Sequence, residues 1–349
     1  MAVKHRVSRR SRSRSVGISD VAAAAGVSTA SVSRFMHDPM RVSPKLRDRV
    51  EAAIKELNYI PHRAGRALAS RQSLIVGAIV PTLENAIFSR QVMTFQQNLR
   101  DAGYTLLLAT SEYDPELEFR QARVMLEHGV DALMLVGQKR GSEFYEMLER
   151  ASIPFITTWI YSKNSIHPCC GFSHETAMKR VVDYVVELGH RNIGVVTGFA
   201  NVNDRVAARL KGIRKALKEH GLELMRDKIA YSEYTFDAGG EALARLLEKG
   251  ERPTAIVCGN DILAAGVLTE ARKRNIKVPE ELSVMGFGDL DIAAQLDPPL
   301  STVRTPKAEI GEAAATYLLN SLEGRKTESR IEVDIKFCWR DSFGRASKK

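Results

Sequence analysis

The sequence is short of cysteine and has no long apolar run, and both shortages narrow what it can be. Its 349 residues hold four cysteines, Cys169, Cys170, Cys258 and Cys338, none at C-x-x-C spacing. The eight histidines are scattered, and the sequence shows no zinc-ligand spacing between them and a cysteine pair. Neither a disulfide framework nor a zinc site is expected, and the sparse thiols fit a reduced, cytoplasmic protein. No stretch approaches the roughly 18 consecutive apolar residues of a membrane span. The longest, such as 74–80, has the length of a buried strand. The N-terminus, MAVKHRVSRRSRSRS, is basic, but no apolar segment follows it. It therefore reads as a solvated tail over 1–16 rather than a secretory signal.

Catalytic motifs are missing as well. No G-x-G-x-x-G follows the first strand-like run, which continues as VPTLENAIF, and no glycine loop leads to a phosphate-binding lysine. G-x-S-x-G and H-E-x-x-H are absent, and His174 and His190 read as structural. An enzyme is not expected, nor a cofactor, a metal or a membrane partner.

Positive charge is present, and it is concentrated. Residues 1–72 carry 15 Lys/Arg and 5 Asp/Glu, whereas the remaining 277 carry 36 and 37, so the whole net charge of +9 traces to the first fifth of the chain. A basic block beside a neutral body is the footprint of a nucleic-acid-binding module, although charge alone would also suit an acidic membrane.

The pattern inside the block favours DNA. Ile18–Ala25 predicts a short helix with Val21, Ala22 and Ala25 on one face, ended by Gly26. Ser28 is a good N-cap for a second helix over Thr29–Met36, and Ser43 with Pro44 opens a third that runs to about Leu57. On that third helix Leu46, Val50, Ile54 and Leu57 share a face. Helix, Gly-Val-Ser turn, helix is a helix-turn-helix pattern. Its second helix would present Thr29, Ala30 and Arg34 to base edges, with Arg34 able to grip guanine O6 and N7. Ser28, Ser31, Ser33, Ser43 and Tyr59 are candidate phosphate contacts.

With DVA-x-x-AGVS, T-x-SVSR, VS-x-x-x-R-x-x-V-x-x-A-x-x-ELNYIP and R-x-x-x-x-LA in place, the run from Ile18 to Ser73 resembles the headpiece and hinge of the LacI/GalR family of bacterial transcription regulators. The resemblance implies a hinge helix within 62–73 that folds when two chains meet on operator DNA. It implies that His62, Ala64 and Leu68 face the minor groove, with Leu68 as the wedge.

From Leu74 onward, apolar strand-like runs (74–80, 104–110, 131–137, 154–160, 192–198, 255–259, 282–288) alternate with amphipathic helical ones, which predicts parallel sheets covered on both faces. The expected fold is an all-α helix-turn-helix headpiece (17–61), a hinge, and an α/β two-lobed periplasmic-binding-protein-like body with two parallel sheets. Lobe 1 would take 74–172 with about 303–328, and lobe 2 would take 173–302 with about 329–345.

The resemblance further implies an effector in the cleft between lobes. The matching positions are Phe88, Trp159, Arg209, Tyr234 and Asn260. Asp289 is added from Gly286-Phe287-Gly288-Asp289-Leu290-Asp291, where Gly288 replaces the aspartate that many sugar-binding members carry. This segment is similar to the gluconate-repressor branch, and with Arg209 it points to a sugar or sugar acid. Asp261 reads as a helix cap. No leucine heptad follows the last strand, expected near 331–339, so a homodimer on a pseudo-palindromic operator is expected. The alternatives are a solute-binding protein of a sugar transporter and a nucleotide-dependent sugar enzyme. The first would call for a signal segment and no headpiece, and the second for a phosphate loop, none of which the sequence matches.

Overall fold

The computed structural model describes residues 16–60, 72–84, 86–248 and 251–347, in two compact units that part after Ser73. His62, Ala64, Leu68 and most of the expected hinge lie outside the described residues.

In the first unit, α1 (Ile18–Ala25), α2 (Thr29–His37) and α3 (Pro44–Glu56) close on a core of Val21, Ala22, Ala25, Val32, Phe35, Val42, Val50 and Ala53. Leu46, Ile54, Leu57 and Tyr59 pack half-buried against it. Gly26 ends α1 at φ +60°, a left-handed conformation that costs a side-chain-bearing residue about 1–2 kcal/mol. Its carbonyl accepts from Arg49 of α3 at 2.9 Å, which ties the turn to the third helix. Ser28 caps α2 by accepting from the Ser31 N–H at 3.1 Å. The expected Ser43 cap is not made: Ser43 is exposed and its side chain forms no cap bond, while Pro44 fills the first position of α3. Between α2 and α3 the sequence reading missed a short 3₁₀ turn, Pro39–Arg41, which Asp38 caps by accepting from the Met40 N–H.

The second unit holds two all-parallel sheets, as the sequence predicts. One takes β1 (Ile75–Val80), β2 (Thr105–Thr110), β3 (Ala132–Val136), β4 (Phe155–Thr158), β5 (Cys169–Gly171) and β11 (Arg330–Glu332) in the order β11-β5-β4-β3-β1-β2. The other takes β6 (Ile193–Thr197), β7 (Ile229–Tyr231), β8 (Ala255–Cys258) and β9 (Ser283–Met285) in the order β7-β6-β8-β9. All five residues of β3 and of β6 are buried, the mark of central strands covered on both faces. Helices α4 (Ala86–Asp101), α5 (Pro115–Glu127), α6 (Ser142–Ala151) and α11 (Lys307–Leu322) belong with the first sheet, and α11 packs along α4. Helices α7 (His174–Glu187), α8 (Asp204–Glu219), α9 (Phe236–Leu247) and α10 (Asp261–Lys273) belong with the second.

The C-terminal segment departs from expectation. The single last strand expected near 331–339 is two strands. Residues 330–332, assigned from sequence to lobe 2, form β11 on the edge of the first sheet, paired in parallel with β5. β12 (Lys336–Cys338) pairs antiparallel with β10 (Thr302–Arg304) in a separate two-stranded ribbon. Residues beyond it return to the second half, where Ser342 donates to the Val284 carbonyl at 2.7 Å.

One close approach positions the site. A β-carbon on Gly212 of α8 would run into the backbone carbonyl of Glu175 on α7. Glycine therefore lets the first turn of α7, which carries His174, meet the middle of α8, where Arg209 stands three residues before Gly212.

Candidate effector cleft and DNA-facing helix

Loops at the carboxyl ends of strands from both sheets converge on one cavity in the second unit, the place where ligands bind in open α/β sheets. An inner chamber of about 40 Å³ is lined by Phe88, Tyr113, Trp159, His174, Asn203, Arg205, Arg209, Tyr234, Asn260 and Phe287, with Ile87 and Gly259. Tyr113, Asn203 and Tyr234 also line an outer chamber of about 620 Å³, whose other walls include Glu84, Glu112, Phe199, Val202 and Glu233.

Each inner side chain is held in place. Arg209 is buried, its guanidinium lies 5.1 Å over the Phe287 ring, and its Nη1 donates to His174 Nδ1 at 3.0 Å. That bond makes Nδ1 an acceptor, so the His174 proton sits on Nε2 and is donated to the Trp159 carbonyl at 2.9 Å. Trp159 adopts φ +61°, rare for a bulky residue. The conformation is held by that bond, by its indole N–H donating to Gln91 at 2.6 Å, and by the edge of Phe88 with centroids 5.4 Å apart. Asn260 Oδ1 accepts from the Leu263 N–H, and Asn203 Oδ1 accepts from the Arg205 and Val206 N–H groups. Both asparagines thus use their oxygens as helix caps; Asn203 Nδ2 donates to the Tyr234 hydroxyl at 3.5 Å, and the Asn260 amide nitrogen is left for other partners.

The electrostatics follow from burial. Burial, followed by the neighbouring Arg209 and Arg205, pushes the His174 pKa well below its ordinary value and keeps the ring neutral. Burial also lowers the pKa of Arg209. Asp204 is opposed by its own burial, but Arg205 and the Gln138 and Lys139 N–H groups outweigh that and hold its carboxyl below the usual range. Those N–H groups donate to Asp204 Oδ2 at 2.6 and 3.2 Å, so the loop after β3 is clasped to the start of α8.

A pH test of the His174 environment follows. Below about pH 6.5 the unfolded chain takes up a proton at His174 that the folded chain refuses, so stability falls as pH falls, by up to about 1.4 kcal/mol per pH unit. Thermal melts of the wild type are expected to drop between pH 7.5 and 5.5, and those of His174→Gln to drop less. Parallel curves would show that His174 does not carry the effect. The other histidines with lowered pKa, His190 and His167, supply the residual slope.

Five of the six expected effector residues, Phe88, Trp159, Arg209, Tyr234 and Asn260, line the inner chamber. Asp289 does not. Its carboxylate accepts from Arg304 at 2.6 Å and Arg340 at 2.7 Å, beside the β10–β12 ribbon. Gly288 also has a different reason to be glycine. It sits at φ +137°, and a β-carbon there would meet the Asp261 carboxylate at 3.3 Å. Asp261 is not the cap of α10, which is Asn260; its carboxylate accepts from the Leu290 N–H and the Thr302 hydroxyl. Sequence reasoning missed Tyr113, His174, Asn203, Arg205 and Phe287. Arg205 was within reach, because it precedes Arg209 by four residues and so shares its helix face.

In the first unit, α2 exposes Thr29, Ala30, Ser33 and Arg34 together. The Ser28 and Ser31 hydroxyls bond each other at 2.9 Å. The Arg34 side chain has no ion-pair partner among the described residues.

Residues 17–62 match the bacterial regulatory proteins of the lacI family, and residues 182–343 match a periplasmic binding protein-like domain. Over 310 residues the chain is 31% identical to the HTH-type transcriptional repressor CytR of Escherichia coli strain K12, spanning 89% of this chain and 91% of that one. The chain belongs to the LacI family. A LacI-family transcriptional regulator from Silicibacter pomeroyi superposes with a TM-score of 0.87 at 27% identity, covering 95% of this chain and 100% of that one. The lac repressor dimer bound to operator and the anti-inducer ONPF superposes with 0.82 at 25% identity, covering 94% and 99%. Like its LacI-family relatives, this protein is a DNA-binding transcription regulator and not an enzyme.

Proposed function

We propose that the protein is a repressor that binds a pseudo-palindromic operator as a homodimer and is controlled by a small sugar acid, gluconate-like in size and charge, held in the cleft. Thr29, Ala30 and Arg34 read bases. Ser28, Ser31, Ser33, Ser43 and Tyr59 set register on phosphates, and His62, Ala64 and Leu68 act at the minor groove. Effector binding changes the angle between lobes and so shifts operator affinity, by a coupling of about 1–3 kcal/mol. The lac repressor, solved as a dimer on operator, and the regulator CelR, solved with cellobiose at 25% identity, support the dimer and the sugar.

The acid is carried by one observation: Arg209 Nε is buried with no hydrogen-bond partner among the described residues. An orphaned buried donor costs about 1–3 kcal/mol, and a ligand acceptor removes that cost. Arg205, Asn203 and Asn260 line the same chamber with further N–H groups, and no Asp or Glu lines it among the described residues. A chamber that mainly donates selects a group that mainly accepts, and a carboxylate is such a group. Footprinting on candidate palindromes combined with calorimetry tests the reading. Gluconate or 2-ketogluconate is expected to bind and to change operator affinity. Tight binding of a neutral hexose alone, or no palindrome protected under any effector, would overturn it.

A further inference from the structure

We infer that the effector carries a second sugar ring: a glycosylated sugar acid whose carboxylate enters the inner chamber and whose glycosyl unit rests in the outer one against Phe199. The inference builds on the carboxylate reading above and concerns the rest of the ligand.

Space comes first. An inner chamber of about 40 Å³ takes a head group and no more. The outer chamber of about 620 Å³ lies within the range of sites that engulf whole ligands. At about 30 Å³ for each water in the liquid, it holds the volume of about 20 waters. A six-carbon sugar acid whose head group sits in the inner chamber would leave much of that outer space empty.

Chemistry agrees. Leu83, Phe199 and Val202 line the outer chamber and are 44%, 48% and 39% exposed among the described residues, a group of partly uncovered apolar side chains. Phe199 is braced from behind by Tyr231, the rings near parallel at 15° with centroids 6.3 Å apart. A braced aromatic face suits the C–H face of a pyranose, because both are apolar and flat. Glu84, Glu112 and Glu233 stand around the same space. Carboxylates accept from hydroxyls and repel a second carboxylate, so they admit a polyhydroxyl ring and turn the acid end inward. The two chambers therefore have opposite polarity, cationic and donating inside, anionic and accepting outside, joined at Tyr113, Asn203 and Tyr234.

Isothermal titration of the full chain separates the cases, with D-gluconate, its glycosylated forms lactobionate and maltobionate, and lactose as the neutral control. At least one glycosylated acid is expected to bind about tenfold or more tighter than gluconate, and lactose to bind far more weakly than lactobionate. Phe199→Ala, at a half-exposed position, is expected to weaken the tighter glycosylated acid about tenfold more than it weakens gluconate, with operator binding retained. Gluconate binding as tightly as both glycosylated acids overturns the second ring and leaves the carboxylate reading standing, as does an equal loss for both ligands in Phe199→Ala. Binding by none of the acids overturns the carboxylate reading and this inference with it.

Discussion

Arg209→Met is expected to abolish the effector response while leaving operator binding intact. Charge-assisted hydrogen bonds contribute about 1.5–3 kcal/mol each, so losing the guanidinium lowers affinity for an anionic effector about 100-fold or more. The free protein should be affected far less. Methionine fills similar space, removes a buried cation and removes the unpartnered Nε, against which stands the loss of the Nη1 donor to His174. Its melting temperature is expected to stay level or rise. Arg209→Lys should also respond poorly, because an ammonium cannot reproduce the planar fork over Phe287. Gel shifts with and without effector, beside calorimetry, decide the matter. An Arg209→Met protein that still responds at wild-type effector concentrations would place the site elsewhere.

Arg34→Ala is expected to weaken specific operator binding by about 1–3 kcal/mol per half-site and to relax the preference at one base pair. The reason is geometric. Arg34 projects into solvent from the same turn as Ala30 and Ser33, and a guanidinium there can take both acceptors on a guanine edge. A phosphate contact would behave differently: its loss weakens all DNA alike and reduces the salt slope by about 0.9. Selections with randomised half-sites distinguish the two. An equal loss on specific and unrelated DNA would move Arg34 from the base-reading set to the phosphate set.

The headpiece was legible because its punctuation is local. Gly26, Ser28 and Pro44 each fix a backbone state within a few residues, and the three observed helices differ from expectation by one residue at two of their six ends. The central strands were legible because unbroken apolar runs admit few other readings. β5 and β10 were not read, and β11 and β12 were read as one strand, since what separates them is pairing with partners far along the chain. Asp289 shows the same limit at the level of one side chain. A motif gives the residue, but the direction of its carboxylate depends on φ +137° at Gly288 and φ +50° at Asp289, and on Arg340 approaching from 51 residues away. The residues missed in the cleft, Tyr113, His174, Asn203 with Arg205, and Phe287, come from four distant segments that only the finished sheets bring together.

The returning C-terminal segment also bears on how the protein is made. On a ribosome, residues 16–60 hold their whole core within one short stretch of chain and can close as soon as they emerge. The body cannot. Its six-stranded sheet lacks an edge until Arg330–Glu332 has been synthesised. The second half waits longer still, because Gly344 supplies the acceptor for His190 and Ala346 donates to the Leu188 carbonyl. A growing chain is thus able to complete its DNA-reading part some 270 residues before either half of its sensor is finished, so a translation stop anywhere in between would leave a headpiece with no means of responding to the effector.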